Sequence, residues 1–184
     1  MVKTGTIKNI FTENEFLYLK NHFMGHDILN SIDYDDHGRK LIHSSADRVL
    51  SDYSDKLLPV VRNFFEDQDI IPTYSMYAEY SHSVIDLHKH KDLNACQYTV
   101  DLVLHQTRPW SLWIEGKEYE LLENEAVLFC GEEQEHWRET IENNSDVIGV
   151  IFFHYVSQGH WWIEHGPQYV EVVRQRAREK SINA

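Results

Sequence analysis

Past Thr73 the hydrophobic pattern of the chain changes from a helical period to strict alternation, and it keeps that alternation for roughly 85 residues. "YSMYAEY", "SVIDLH", "QYTVDLVL", "WSLWIE", "KEYELL", "EAVLFC" and "VIGVIFFHYV" each read as a short strand. Side chains of a strand point alternately to its two faces. In "QYTVDLVL", Tyr98, Val100, Leu102 and Leu104 therefore share one face, and Gln97, Thr99 and Asp101 share the other. "EGK" at 115–117 is a hairpin signal between two of the strands. So many short strands in so short a stretch imply a sheet that curls back on itself.

The residues before this region read differently. "TGTIKNIF" suggests a short strand, and Thr12 with Glu15 three residues on forms a capping box for a helix carrying Phe16, Leu17, Leu19 and Phe23. "NSIDYDDHGRK" reads as a polar loop, and "DYDDHG" at 33–38 as a solvated acidic turn. A second helix is expected over "ADRVLSDYSDKLLPVVRNFFEDQ", kinked or broken at Pro59, with Leu57, Leu58, Val61, Phe64 and Phe65 as its apolar stripe. "PQYVEVVRQRAREK" is expected to be a C-terminal helix opened by Pro167. The expectation is a mainly β fold with the N-terminal helices packed on one side of the curled sheet and a C-terminal helix. Residues 1–184 are expected to form one domain, with the barrel core at about 70–156.

Composition narrows the partners. Lys and Arg number 17 against 30 Asp and Glu, a formal charge of −13, so phosphate backbones and anionic membranes are repelled and no nucleic acid is expected. No apolar run approaches the roughly 18 residues of a spanning helix, and the N-terminus has no apolar signal core. Cys96 and Cys130 make no disulfide framework, so a cytoplasmic location is expected and both are read as small buried side chains.

Twelve histidines are more than packing requires. In "HKHKDLNACQYTV", His90 and Asp92 are two apart and project to the same side of an extended segment. A third ligand must come from a strand distant in sequence, and His136 in "GEEQEHWRE" is the candidate. Two imidazoles and a carboxylate on one face of an ion leave positions open for co-substrate and dioxygen, the arrangement of mononuclear non-haem Fe(II) centres. His88 competes for the first position. With it the pattern becomes His-x-His, as in cupins, and spacing alone does not decide between the two registers.

From Ile70 to Val156 the chain resembles the Fe(II)/2-oxoglutarate-dependent oxygenases, and within them a prolyl 4-hydroxylase-like bacterial group that is mostly uncharacterised. The residues that carry the resemblance are "PTYS", an aromatic ten residues before H-x-D, the cysteine ahead of a strand, the tryptophan strand, "EHWRE" and "FFHYV". The resemblance implies a double-stranded β-helix (a jelly-roll, cupin-like barrel) and Fe(II) held by His90, Asp92 and His136, not His88. It implies 2-oxoglutarate as co-substrate and dioxygen as oxidant, and an enzyme that hydroxylates a small molecule or a protein side chain. Asp92 in the triad favours hydroxylation over halogenation. The chain departs from the group's pattern at Asn124-Glu125, where Gly-Asp is usual, and at Leu93, where a basic residue is common.

The far carboxylate of 2-oxoglutarate calls for a cation. The superfamily's usual Arg or Lys, about ten residues past the distal histidine, is missing, since Thr140 through Tyr155 contain neither. Arg138, two past His136, is the expected anchor, with Arg108 the alternative, and Tyr80 stands where a phenol often lies near the co-substrate. His154 reads as a core histidine. Trp110, Trp113 and Trp137 read as core or cavity wall, and Trp161 and Trp162 as cover for the site or for a homodimer contact. The competing functional readings are a cupin-type metalloenzyme that uses His88, His90 and His136 without 2-oxoglutarate, and a non-catalytic metal-binding domain.

Overall fold

A computed structural model of the chain describes residues 2–24, 33–34, 39–81, 87–143 and 145–166. In chain order the elements are β1 (Gly5–Lys8), α1 (Glu13–Met24), β2 (Asp33–Tyr34), β3 (Lys40–His43) and α2 (Arg48–Phe65). There follow β4 (Ile70–Ser81), β5 (Leu87–His90), β6 (Tyr98–Gln106), β7 (Leu112–Ile114), β8 (Lys117–Tyr119), β9 (Glu125–Phe129), β10 (His136–Arg138) and β11 (Val147–Ser157). The expected C-terminal helix lies outside the described residues.

The capping box at the start of α1 forms as the sequence suggests. The Glu15 carboxylate accepts from the Thr12 N–H at 3.0 Å, and Phe16, Leu19 and Phe23 are buried at helical spacing. Asp47 caps α2 through the Val49 N–H, and Glu66 closes it in the left-handed conformation (φ 58°). Pro59 does not break this helix. Its ring sits on the exposed face, and Asp55, whose carbonyl loses its usual N–H partner, is exposed as well.

All strand pairs are antiparallel. A seven-stranded sheet has the order β1-β9-β6-β11-β4-β3-β2, and a four-stranded sheet the order β5-β10-β7-β8. From β4 onward the chain passes back and forth between the two sheets, with β7 and β8 forming a hairpin within the small sheet, which is the topology of a double-stranded β-helix. The alternation decides what each face meets. Val100, Leu102 and Leu104 of β6, with Ile151, Phe153 and Tyr155 of β11, pack against Phe16, Leu19, Leu50, Leu57 and Val61 of the helices. The opposite face of β6 presents Thr99 and Asp101 to a cavity of about 410 Å³, which is also walled by β5 and β10 of the small sheet. The helices thus back the large sheet and leave its inner face free for polar groups.

Candidate metal centre

Strand pairing brings the sequence-distant histidines together. In the β5–β10 ladder His136 lies directly opposite His90, and the ring centroids are 4.3 Å apart. Asp92 follows β5 in a loop that is pinned to the turn after β9 by the Asp92 N–H donating to the Gly131 carbonyl at 2.9 Å. Its Oδ1 stands 3.5 Å from His136 Nε2 and 4.0 Å from His90 Nε2. Ligand atoms of His90, Asp92 and His136 all lie within 4.8 Å of one another. His88 is not in this group. It takes part through its backbone carbonyl, which accepts from His90 Nδ1 at 2.9 Å.

The surroundings fix the donor atoms. His136 Nδ1 lies 2.9 Å from the Gln134 carbonyl, so on each histidine the carbonyl contact holds a proton on Nδ1, and in the neutral, metal-binding form of the ring the lone pair falls on Nε2. Both Nε2 atoms face Asp92. The Thr99 hydroxyl donates to Asp92 Oδ2 at 3.1 Å and leaves Oδ1 turned toward the histidines. Gly131 is required at its position because a Cβ there would overlap Asp92 Oδ2 and Thr99 Oγ1. Two neutral imidazole nitrogens and one carboxylate oxygen converge, and this donor set suits a divalent iron-type ion with further positions open.

The charges are consistent with such a site. Burial raises the Asp92 carboxyl, but the His136 hydrogen bond and the nearby His154, His136 and His90 outweigh it and hold its pKa below the usual range. Burial lowers His136, yet Asp92 more than offsets this and raises it. His90 is lowered by burial and by the neighbouring His136.

The expected cation partners are placed less simply. Arg138 is 2% exposed and lines the cavity, but its Nη2 donates to both Asp101 oxygens, at 3.0 and 2.7 Å, and its Nη1 donates to the Trp110 carbonyl at 2.7 Å. Asp101, on the inward face of β6, is raised by burial, with Arg138 acting against the rise. Arg108 is 42% exposed, pairs with Asp146 at 2.6 Å and does not line the cavity. Tyr80 does line it and is fully buried, and its hydroxyl accepts from Arg39 Nη1 at 3.0 Å. Arg39 also lines the cavity. It precedes β3, whose register Lys40↔Glu79 sets it beside Tyr80. Sequence reading missed it because a polar stretch with Gly38 carries no strand signal. Trp110 is core, packed edge-on to Tyr80, while Trp137 is cavity wall stacked on Trp113.

No protein-family model matches this chain, and no curated protein matches it in sequence. Solved structures do match it in shape. HygX from Streptomyces hygroscopicus, solved with nickel, 2-oxoglutarate and hygromycin B bound, superposes with a TM-score of 0.65 at 13% identity, over 86% of this chain and 84% of that one. A prolyl-4-hydroxylase from Pseudomonas putida gives 0.64 at 12% identity, over 85% of this chain and 94% of that one. EctD from S. alaskensis with bound Fe gives 0.65 at 11% identity, over 84% and 72%. The chain has the fold of the Fe(II)/2-oxoglutarate oxygenases. In that fold the cleft between the sheets is where His90, Asp92 and His136 meet, and the helical layer of α1 and α2 closes the outer face of the large sheet.

Proposed function

We propose that the protein is an Fe(II)- and 2-oxoglutarate-dependent oxygenase that hydroxylates a C–H bond of a small molecule or of a protein side chain, working as one domain. The observation that carries this reading is the convergence of His90 Nε2, His136 Nε2 and Asp92 Oδ1, each oriented by a second hydrogen bond, on the wall of the cavity between the sheets. The structural neighbours with nickel, iron or 2-oxoglutarate bound support the choice of cofactors.

His90, Asp92 and His136 would hold the metal. Fe(II) and 2-oxoglutarate, when bound, supply activation of dioxygen, with 2-oxoglutarate converted to succinate and CO2. The protein's own residues position and enclose. The carbonyls of His88 and Gln134 keep the imidazoles in the ligating tautomer. Thr99 keeps one carboxylate oxygen of Asp92 occupied, so the other is presented to the ion. Tyr80 and Arg138 line the depth of the cavity, where a carboxylate of the co-substrate would meet a phenol hydroxyl and a guanidinium. Arg138 already serves Asp101, so the anchor works as a shared network and not as a lone cation. Met76, Leu87, Leu112 and Phe152 on the cavity wall exclude water from the reacting carbon.

Succinate formation from 2-oxoglutarate, with and without Fe(II), tests this reading. Turnover is expected even without substrate, uncoupled, and is expected to vanish in His136→Ala and Asp92→Ala while His88→Ala retains it. Loss of metal binding in His88→Ala with Asp92→Ala tolerated would instead favour the cupin-type assignment. Metal binding unaffected by 2-oxoglutarate would favour a non-catalytic domain.

A further inference from the structure

A second donor cluster shares Asp92 with the first, and its chemistry is different. A carboxylate oxygen of Asp92, the sulfur of Cys96 and a ring nitrogen of His154 lie within 4.8 Å of one another. Cys96 and His154 are each 2% exposed, and both line the cavity. They arrive from separate elements, Cys96 from the turn before β6 and His154 from β11, where the ladder sets it opposite Thr99.

Packing alone does not account for His154. Its Nδ1 lies 3.2 Å from Thr99 Oγ1, whose own proton goes to Asp92. Nδ1 must therefore be the donor, and the lone pair falls on Nε2. That Nε2 is buried with no hydrogen-bond partner among the described residues. An orphaned buried acceptor is unfavourable, and a cation bound to it would relieve that. The Cys96 sulfur lies 3.3 Å from the Tyr74 hydroxyl, a weak contact that leaves its lone pairs available.

We propose that Asp92, Cys96 and His154 form a second cation site, suited to a thiophilic divalent ion such as Zn²⁺ or Co²⁺. One sulfur, one nitrogen and one oxygen donor is a zinc-type set, which the hard ions Mg²⁺ and Ca²⁺ do not favour. Metal–donor distances of about 2.0–2.3 Å set tetrahedral donors about 3.5 Å apart, a spacing inside the 4.8 Å that bounds this trio. On binding, the Cys96 thiol gives its proton to solvent and the thiolate sulfur takes the metal in its place. Asp92 is common to both clusters, so a thiophilic ion here draws the carboxylate from the His90–His136 side and weakens the hold on an ion there. The proposal rests on donor geometry and stands whether or not the chain is an oxygenase.

Titration of the metal-free full chain with Co²⁺ tests it. A near-ultraviolet sulfur-to-cobalt charge-transfer band is expected. It should persist in His90→Ala/His136→Ala and disappear in Cys96→Ser, a near-isosteric change that keeps a partner for Tyr74. Cobalt bound without that band, or a band that survives in Cys96→Ser because Cys130 supplies it, overturns the second site and leaves the triad standing. No cobalt bound at all overturns both. A second measurement needs no variant: Zn²⁺ should slow alkylation of Cys96 at least tenfold relative to Cys130, read by peptide mass spectrometry. An unchanged ratio overturns the proposal.

Discussion

Single atoms set the geometry of the centre. The H-x-D spacing and the distal histidine were legible because strand periodicity and motif order survive in sequence. The supporting contacts were not. Nothing in the spacing of Thr99, Gly131 or the Gln134 carbonyl shows that they orient Asp92 and His136, because each reaches the site through a turn or through pairing with a distant strand. The role of Gly131 is testable. Gly131→Ala forces Asp92 Oδ2 and Thr99 Oγ1 aside, and the expected result is a loss of about tenfold or more in divalent-metal affinity by calorimetry. Native-like affinity would show that Asp92 does not need this backbone approach. Arg138 and Asp101 form the other consequential pair at this scale. Sequence supplied a cation two residues past His136, but its acid partner lies on β6 and is paired only in the fold. Arg138→Met leaves a buried carboxylate unpaired and is expected to cost about 3–5 kcal/mol in denaturant unfolding. Adding Asp101→Leu should recover most of that loss. A double variant as unstable as the single one would contradict the pairing.

The larger elements follow from their periodicities. Six of the eight β-helix strands, β4, β6 to β9 and β11, were marked in sequence by alternation, because one face of each meets the helices or the core and the other the cavity or solvent; the strand expected at "SVIDLH" meets β5 only at Leu87 and His88, and its residues 83–86 lie outside the described ones. The strands without an apolar pattern escaped. β10 lies in the polar run "GEEQEHWRE", β2 has only two residues, and β3 is set by pairing with β4. The break expected as one outcome at Pro59 did not occur, because a proline's effect depends on which face of the helix it occupies, and that is settled only when the helix docks. The stripe of α2 was legible, and its contribution is measurable. Leu57 is buried against the outer face of the large sheet, and Leu57→Ala is expected to cost about 2–5 kcal/mol. Because the helix lies behind the sheet and not in the cavity, metal affinity should be unchanged. A matching fall in metal affinity would mean that the helical layer and the centre are coupled.

For the whole molecule, buried histidines give stability a definite pH dependence. His105 is tucked against Gly149, where a Cβ would overlap its ring, and lies 2.9 Å from the Tyr77 hydroxyl. Burial, aided by Lys20 and opposed by Glu79 and Glu123, lowers its pKa. His154 is pushed down to about 4 by burial. Both stay neutral in the fold where the unfolded chain takes up protons. Their stabilisation is therefore complete above the unfolded value of about 6.5 and is lost as pH falls through that value toward the folded ones. The melting temperature of the metal-free protein should fall between about pH 7 and pH 5. His105→Gln, which can keep a contact to Tyr77, should show a shallower fall, and an identical slope would remove His105 from the explanation. At this scale no described helix is long and apolar enough to cross a membrane, and the chain carries a formal net charge of −13. The most direct measurement is the visible spectrum of the anaerobic Fe(II)-loaded protein as 2-oxoglutarate is added. Three protein ligands with adjacent open positions predict a new iron-to-2-oxoglutarate charge-transfer band, absent in Asp92→Ala and in His136→Ala. Iron binding that survives both substitutions, with no band on adding 2-oxoglutarate, would contradict the assignment of His90, Asp92 and His136 as the metal-holding set.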